Sequence, residues 1–162
     1  MLKYCLQICL VTFIGLSSTG YSDTASIQQG ETDVEVFVSQ QLATERWDLV
    51  MFWATDCPPC KKDFQKLADL IHAHPDLSFT LIGIVIDGEQ HPQLAENIIQ
   101  QNNLDYAHVL TNYQAANEFH QQVTDQDLLG TPSYILYDQS NVMVAQNPSV
   151  IDIDALLMFI ED

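Results

Sequence analysis

Apolar and polar positions change period several times along this chain. "DLVMFWA" (48–54) is almost continuously apolar between polar neighbours, and is short enough to predict a strand buried on both faces. "FTLIGIVI" (79–86), closed by Asp87-Gly88, predicts a second such strand. From Pro58 the period lengthens: Phe64, Leu67, Ala68 and Ile71 fall at i, i+3, i+4 and i+7, one face of a helix. Pro58 and Pro59 occupy its first turn, where proline is tolerated, and Pro75 ends it near His74. "PQLAENIIQQNN" (92–103) predicts a helix with Leu94 and Ile98 four apart, and "AHVLT" (107–111) a short strand. "NYQAANEFHQQ" (112–122) predicts a helix opened by Asn112. "SYILYD" (133–138) and "VMVAQ" (142–146) flank a polar "QSN" and read as a hairpin, and "DIDALLMFIE" (152–161) as a closing amphipathic helix. Nearer the N-terminus, "VEVFV" (34–38) alternates as a strand would, and "SQQLATER" (39–46) fits a short helix capped by Ser39.

Strands alternating with helices, then a hairpin and a last helix, define an α/β fold: a central mixed sheet with helices on both faces. Its parallel crossovers should be right-handed. Sites in such sheets form beyond the carboxyl ends of the parallel strands, where helix N-termini point. Cys57 and Cys60, in "FWATDCPPCKKDF" (52–64), stand at such a place.

The first residues bear on compartment. Lys3, a mostly apolar run of thirteen residues from Tyr4 to Leu16, and the small and polar "SSTGYSD" have the layout of a secretory signal peptide. Spanning a bilayer takes about 20 residues, so cleavage after Ser22 is expected, with an uncleaved anchor as the alternative. The domains expected are therefore a signal peptide (1–22), a polar, loosely held segment (23–33) and one folded domain (34–162). Cys5 and Cys9 leave with the signal peptide, and Cys57 and Cys60 remain in a periplasmic or secreted location where disulfides persist. A bridge closing a two-residue loop constrains the unfolded chain very little, so this pair is not a staple.

Charge narrows the partners. All 22 acidic residues follow position 22, but only four basic ones do, and the whole chain carries a formal charge of −17. Such a surface excludes nucleic acid and adhesion to anionic lipid, leaving membrane contact only through an uncleaved N-terminal anchor. Three of the four cations, Lys61, Lys62 and Lys66, lie within six residues of Cys60. They read as a solvated helix face or as a local positive rim that docks clients.

Thiol–disulfide exchange needs a thiolate that reaches a partner's sulfur and a second thiol that resolves the mixed disulfide. Cys57 lies at the mouth of a helix, where free N–H groups and the helix dipole favour an anion, so it is expected to attack. Cys60, one turn in and more buried, is expected to resolve. Zinc would need four ligands; there is no second cysteine pair, and the five histidines are scattered and read as surface residues. Copper(I) held by the two thiolates is the alternative, which would make this a metal- or partner-binding module without turnover. Peroxide reduction lacks an activating arginine, since Arg46 precedes the whole strand.

"FWATDCPPC" after a buried strand, with "GTPSYILYD" some seventy residues later, resembles the thioredoxin superfamily. More narrowly it is similar to the secreted TlpA/ResA-type thiol–disulfide reductases, which include cytochrome c maturation factors. The resemblance covers nearly all of the chain after the signal peptide, and the strand and helix between about 88 and 110 match that branch's central insertion. It implies a thioredoxin-like fold, a cis Thr131-Pro132 bond facing the cysteines, and a client surface of Thr131, Trp53, Pro58 and Pro59. It also implies no cofactor, client protein disulfides as substrates, and an upstream thiol–disulfide donor. Three departures stand out. Asp56 replaces the usual Trp, and its charge should disfavour the Cys57 thiolate. Met51 stands where thioredoxin proper has a buried acid. Asp63, three residues after Cys60, matches the branch's acid with a shorter side chain, and reads either as a proton relay to Cys60 or as an ordinary acid at a helix start.

Overall fold

The computed structural model describes residues 26–29 and 33–161; the expected signal peptide lies outside them. Six strands and five helices follow in the order β1 (Ile27–Gln28), α1 (Val34–Gln41), β2 (Trp47–Trp53), α2 (Pro58–Ala73), β3 (Phe79–Val85), α3 (Pro92–Gln101), β4 (Ala107–Leu110), α4 (Tyr113–Thr124), β5 (Ser133–Tyr137), β6 (Met143–Asn147) and α5 (Ile153–Ile160). The strands form one mixed sheet in the order β1-β4-β3-β2-β5-β6. The pairs among β1, β4, β3 and β2 are parallel, and β5 and β6 run antiparallel.

The two continuous apolar runs became the two central strands because both of their faces are covered. Leu49, Met51 and Trp53 of β2 pack with Leu81 and Val85 of β3 against α2, α3 and α5. Val50 and Phe52 pack with Ile82 and Ile84 against α1 and α4.

Four expectations need correction. "VEVFV" is helical. Its apolar residues satisfy period 2 at Val34, Val36 and Val38, but also period 3.6 at Val34, Phe37 and Val38, and these last three are the buried ones. The Asp33 carboxylate decides between the two by accepting from Glu35 N and Val36 N, at 2.9 and 3.2 Å. Ser39 is therefore inside α1, which ends at Gln41, and not its cap. The segment expected to be loosely held contributes β1, where Ile27 and Gln28 pair with His108 and Val109. Two helix faces are rotated from the expected ones: α2 buries Cys60, Asp63, Phe64, Leu67 and Leu70 and exposes Ile71, while α3 buries Ala95, Ile98 and Ile99 and exposes Leu94.

One row across the sheet sets the ground beneath the cysteines. His108, Gly83, Met51 and Tyr134 are successive partners on β4, β3, β2 and β5. The His108 ring lies over Gly83, where a Cβ would come within 2.3 Å of its Cδ2. Gly83→Ala should therefore cost about 1–3 kcal/mol of stability by overpacking. Chemical denaturation should show most of that cost gone in a His108→Ala background; an equal cost in both backgrounds would mean that the ring is not what Gly83 makes room for.

Candidate active site

Strand β2 delivers Trp53 to the carboxyl end of the sheet, and a turn at Thr55-Asp56 leads into α2. Cys57 is the N-cap of that helix, and its Sγ accepts from Cys60 N at 3.2 Å. The prolines limit this arrangement. Pro58 and Pro59 fill the first two helical positions without N–H groups, and the Lys61 amide bonds the Cys57 carbonyl at 3.3 Å. Within the first turn, one amide therefore serves the Cys57 sulfur, fewer than a helix mouth ordinarily offers.

Cys57 and Cys60 form a disulfide with Cα atoms 5.3 Å apart. Cys57 is 3 % exposed and Cys60 fully buried, so only the first has any access to solvent. The Thr131-Pro132 bond is cis. Pro132 is buried, Thr131 half-buried, and the next residue, Ser133, pairs with Phe52. Pro132 thus enters the sheet beside the last residues of β2. Pro58 is exposed and Pro59 half-buried. Trp53, expected on the client surface, is instead fully buried, with its ring edge-to-face against Phe64 at 5.3 Å. It follows the inward alternation of Leu49 and Met51, which leaves it no route to the surface.

Asp63 is fully buried and engaged by three elements. Its Oδ1 accepts from Lys66 Nζ at 2.8 Å, and its Oδ2 accepts from the Tyr134 hydroxyl at 2.8 Å and from Ile151 N at 2.9 Å. Burial and then the Asp63 hydrogen bond push the Tyr134 phenol upward, so it stays a donor. Lys66 also donates to the Ile151 carbonyl at 3.1 Å, so its charge is paired although it is exposed, as Lys61 and Lys62 are. Asp56 is exposed as well, whereas Asp87, in the turn after β3, accepts from Thr55 N at 3.0 and 3.1 Å and from the Thr55 hydroxyl at 2.5 Å.

Two histidines are not surface residues. His120 is buried, with Nδ1 2.8 Å from the Gln126 carbonyl. His108 is fully buried, with its ring stacked on Tyr106 and edge-on to Trp53. Its Nδ1 lies 2.8 Å from the Tyr106 carbonyl; a carbonyl only accepts, so Nδ1 carries the hydrogen and Nε2 is a bare acceptor. Nε2, Trp53 Nε1 and the Tyr106 hydroxyl are enclosed without a hydrogen-bond partner among the described residues. At the far end of β2, Arg46 is committed to Asp48 and the Gln41 carbonyl, at 2.8 and 2.5 Å. Burial pushes the Asp48 carboxyl up, against the opposing Ala43 amide and Arg46 charge. No three His, Cys, Asp or Glu residues group as metal ligands among the described residues.

A fold of this kind, with a cysteine pair opening α2, defines a class, and the match of residues 24–146 to the AhpC/TSA family model places the chain in it: this protein belongs to the AhpC/TSA family. Among curated proteins it is similar to the sporulation thiol-disulfide oxidoreductase A of Bacillus subtilis, at 35 % identity over 63 residues, a span of 38 % of each chain. Among solved structures it is similar to StoA from Bacillus subtilis (TM-score 0.55, 21 % identity, 72 % of this chain and 83 % of that one). It is likewise similar to a thiol:disulfide interchange protein of the thioredoxin family from Chlorobium tepidum (TM-score 0.58, 19 % identity, 72 % and 81 %). These structural likenesses establish the thioredoxin-like fold.

Sequence reasoning missed Tyr134, His108 and Asp87. Asp87 had been read only as the end of a strand, and nothing local to "AHVLT" marks its histidine as buried. Burial holds the His108 ring down, to about 4, with the Tyr106 carbonyl opposing. An unfolded chain therefore binds a proton here between about pH 6.5 and 4 that the folded one refuses. Stability should be full above that window and fall as pH drops through it, by up to about 3 kcal/mol. Denaturant melts at pH 7 and 4.5 should show this loss, and a His108→Gln variant should show a flatter profile; parallel profiles would contradict the assignment.

Proposed function

We propose that this protein is a periplasmic or secreted thiol–disulfide oxidoreductase that reduces disulfides in client proteins. The observation that carries the reading is the disulfide-bonded pair at the mouth of α2, with Cys57 slightly exposed and Cys60 fully buried behind it. The curated relative's name supports thiol–disulfide oxidoreductase chemistry.

The cycle starts from the dithiol. The Cys57 thiolate attacks one sulfur of a client disulfide; a Cys57–client bond forms, and the client's other sulfur leaves as a thiolate that takes a proton. Cys60 then loses its proton and attacks Cys57 Sγ. The mixed disulfide breaks, the Cys57–Cys60 bond forms, and the second client thiol is released. The client gains two electrons and the pair loses two, which an upstream dithiol protein restores. Thr131, Pro58 and Pro59 form the surface on which a client lies, with Pro132 as its wall. Clients of c-type cytochrome maturation are the narrower class that the TlpA/ResA resemblance offers.

Asp63 acts as an anchor in this scheme. With both oxygens already engaged by Lys66, Tyr134 and Ile151, it holds α2 in place and has little freedom to pass a proton to Cys60. Arg46, engaged at the opposite end of β2, leaves peroxide reduction without its activating cation.

Cys60→Ser should accumulate mixed disulfides with clients, seen as dithiothreitol-sensitive adducts, and Cys57→Ser should accumulate none. Adducts in the second variant alone would reverse the two roles. Near-stoichiometric copper(I) held by the reduced protein against a chelator, with no adducts in either variant, would replace the reading with a binding module.

A further inference from the structure

We infer that Asp87 is the positioning residue of the redox pair: its carboxylate fixes the turn that presents Cys57, and its charge disfavours the Cys57 thiolate. The inference rests on the proposed exchange chemistry but concerns a residue that the cysteine motif does not contain.

The Thr55-Asp56 turn is the link between β2 and the attacking cysteine. Both oxygens of Asp87 receive the Thr55 amide, and Oδ2 also receives its hydroxyl. Two residues separated by one peptide unit more than nearest neighbours stand at most about 7 Å apart, so this anchor acts close to Cys57. Asp87 is itself held from three sides. Ile86 N donates to the Trp53 carbonyl at 2.9 Å, so the strand ends stay in register. Gln90 N and His91 N both donate to the Asp87 carbonyl, at 3.1 and 3.0 Å, folding the next turn around it. Gly88 then packs so closely on β4 that a Cβ would meet Leu110 Cα at 2.8 Å, and no bulkier residue would let the turn sit there.

The charge of Asp87 is as constrained as its position. It is half-buried, whereas Asp56 is exposed and screened by water and salt. The other charges at this end of the sheet are accounted for. Asp63 is paired with Lys66, Glu89 accepts from Asn112, and Lys61, Lys62 and His91 are exposed. For a separation on the order of 10 Å and an effective dielectric between 20 and that of water, Coulomb's law raises a thiol beside a fixed carboxylate by about 0.3 to 1.2 pKa units. The carboxylate that tunes the pair is therefore contributed by the turn after β3, 30 residues along the chain from Cys57, and Asp56 beside it has the smaller effect.

Asp87→Asn keeps an acceptor for Thr55 and removes the charge. Titration of thiolate absorbance in the reduced protein should show the Cys57 pKa lower by about 0.3 to 1.2 units. Measured above that pKa, the glutathione equilibrium should shift about two- to fifteenfold towards the reduced pair. Asp56→Asn should move both readouts less, and 1 M salt should abolish its effect but not that of Asp87→Asn. An unchanged thiol in Asp87→Asn, or an effect no larger than that of Asp56→Asn, would overturn the inference. The thiolate titration and the glutathione equilibrium need no client, so an inactive protein with a shifted thiol would refute the proposed function and leave this inference standing.

Discussion

A carboxylate removed from water must be met by donors, or the fold loses several kcal/mol, and in this protein that requirement falls on Asp63. Its partners come from α2 itself, from β5 and from the segment before α5. Satisfying one buried charge therefore fixes the helix that carries both cysteines against the strand that begins immediately after Pro132. The geometry of the redox pair follows from this anchor in the second turn of α2 and from the Thr55–Asp87 contact just before the helix. Beyond Asp63, the apolar stripe of Phe64, Leu67 and Leu70 supplies the burial that holds α2 on the sheet.

The chemistry follows from what surrounds the sulfur once it is held there. A helix N-terminus favours an anion through its free amides, but Pro58 and Pro59 remove two of them and leave Cys60 N as the amide on Cys57 Sγ. A nearby fixed carboxylate opposes the thiolate further. A thiolate that is poorly stabilised makes the reduced form a better donor of electrons. Weak anion stabilisation is thus what the proposed function requires of a pair that gives electrons to clients.

What could be read from the chain follows a physical divide. β2 and β3 were legible because a strand covered on both faces is apolar throughout, and α4 because its capping residue and its period agree. The cysteine motif was legible because its spacing is the chemistry. "VEVFV" was not, since its letters fit two periods and a hydrogen bond from Asp33 decided between them. Ile71 and Leu94 stood on plausible apolar faces that the tertiary packing rotated away from the core. Trp53, His108 and Asp87 share a different obstacle: the position of each depends on strand register, His108 over Gly83 and Asp87 beside Thr55, and register joins residues from distant parts of the chain.

The reduction potential of the Cys57–Cys60 pair tests the central claim most directly, by equilibration of the purified protein with glutathione at pH 7 and quantification of the disulfide. The account predicts a value on the reducing side of this fold's range, at or below about −200 mV. A value near −120 mV, that of a strong oxidant, would contradict it and make the protein a donor of disulfides.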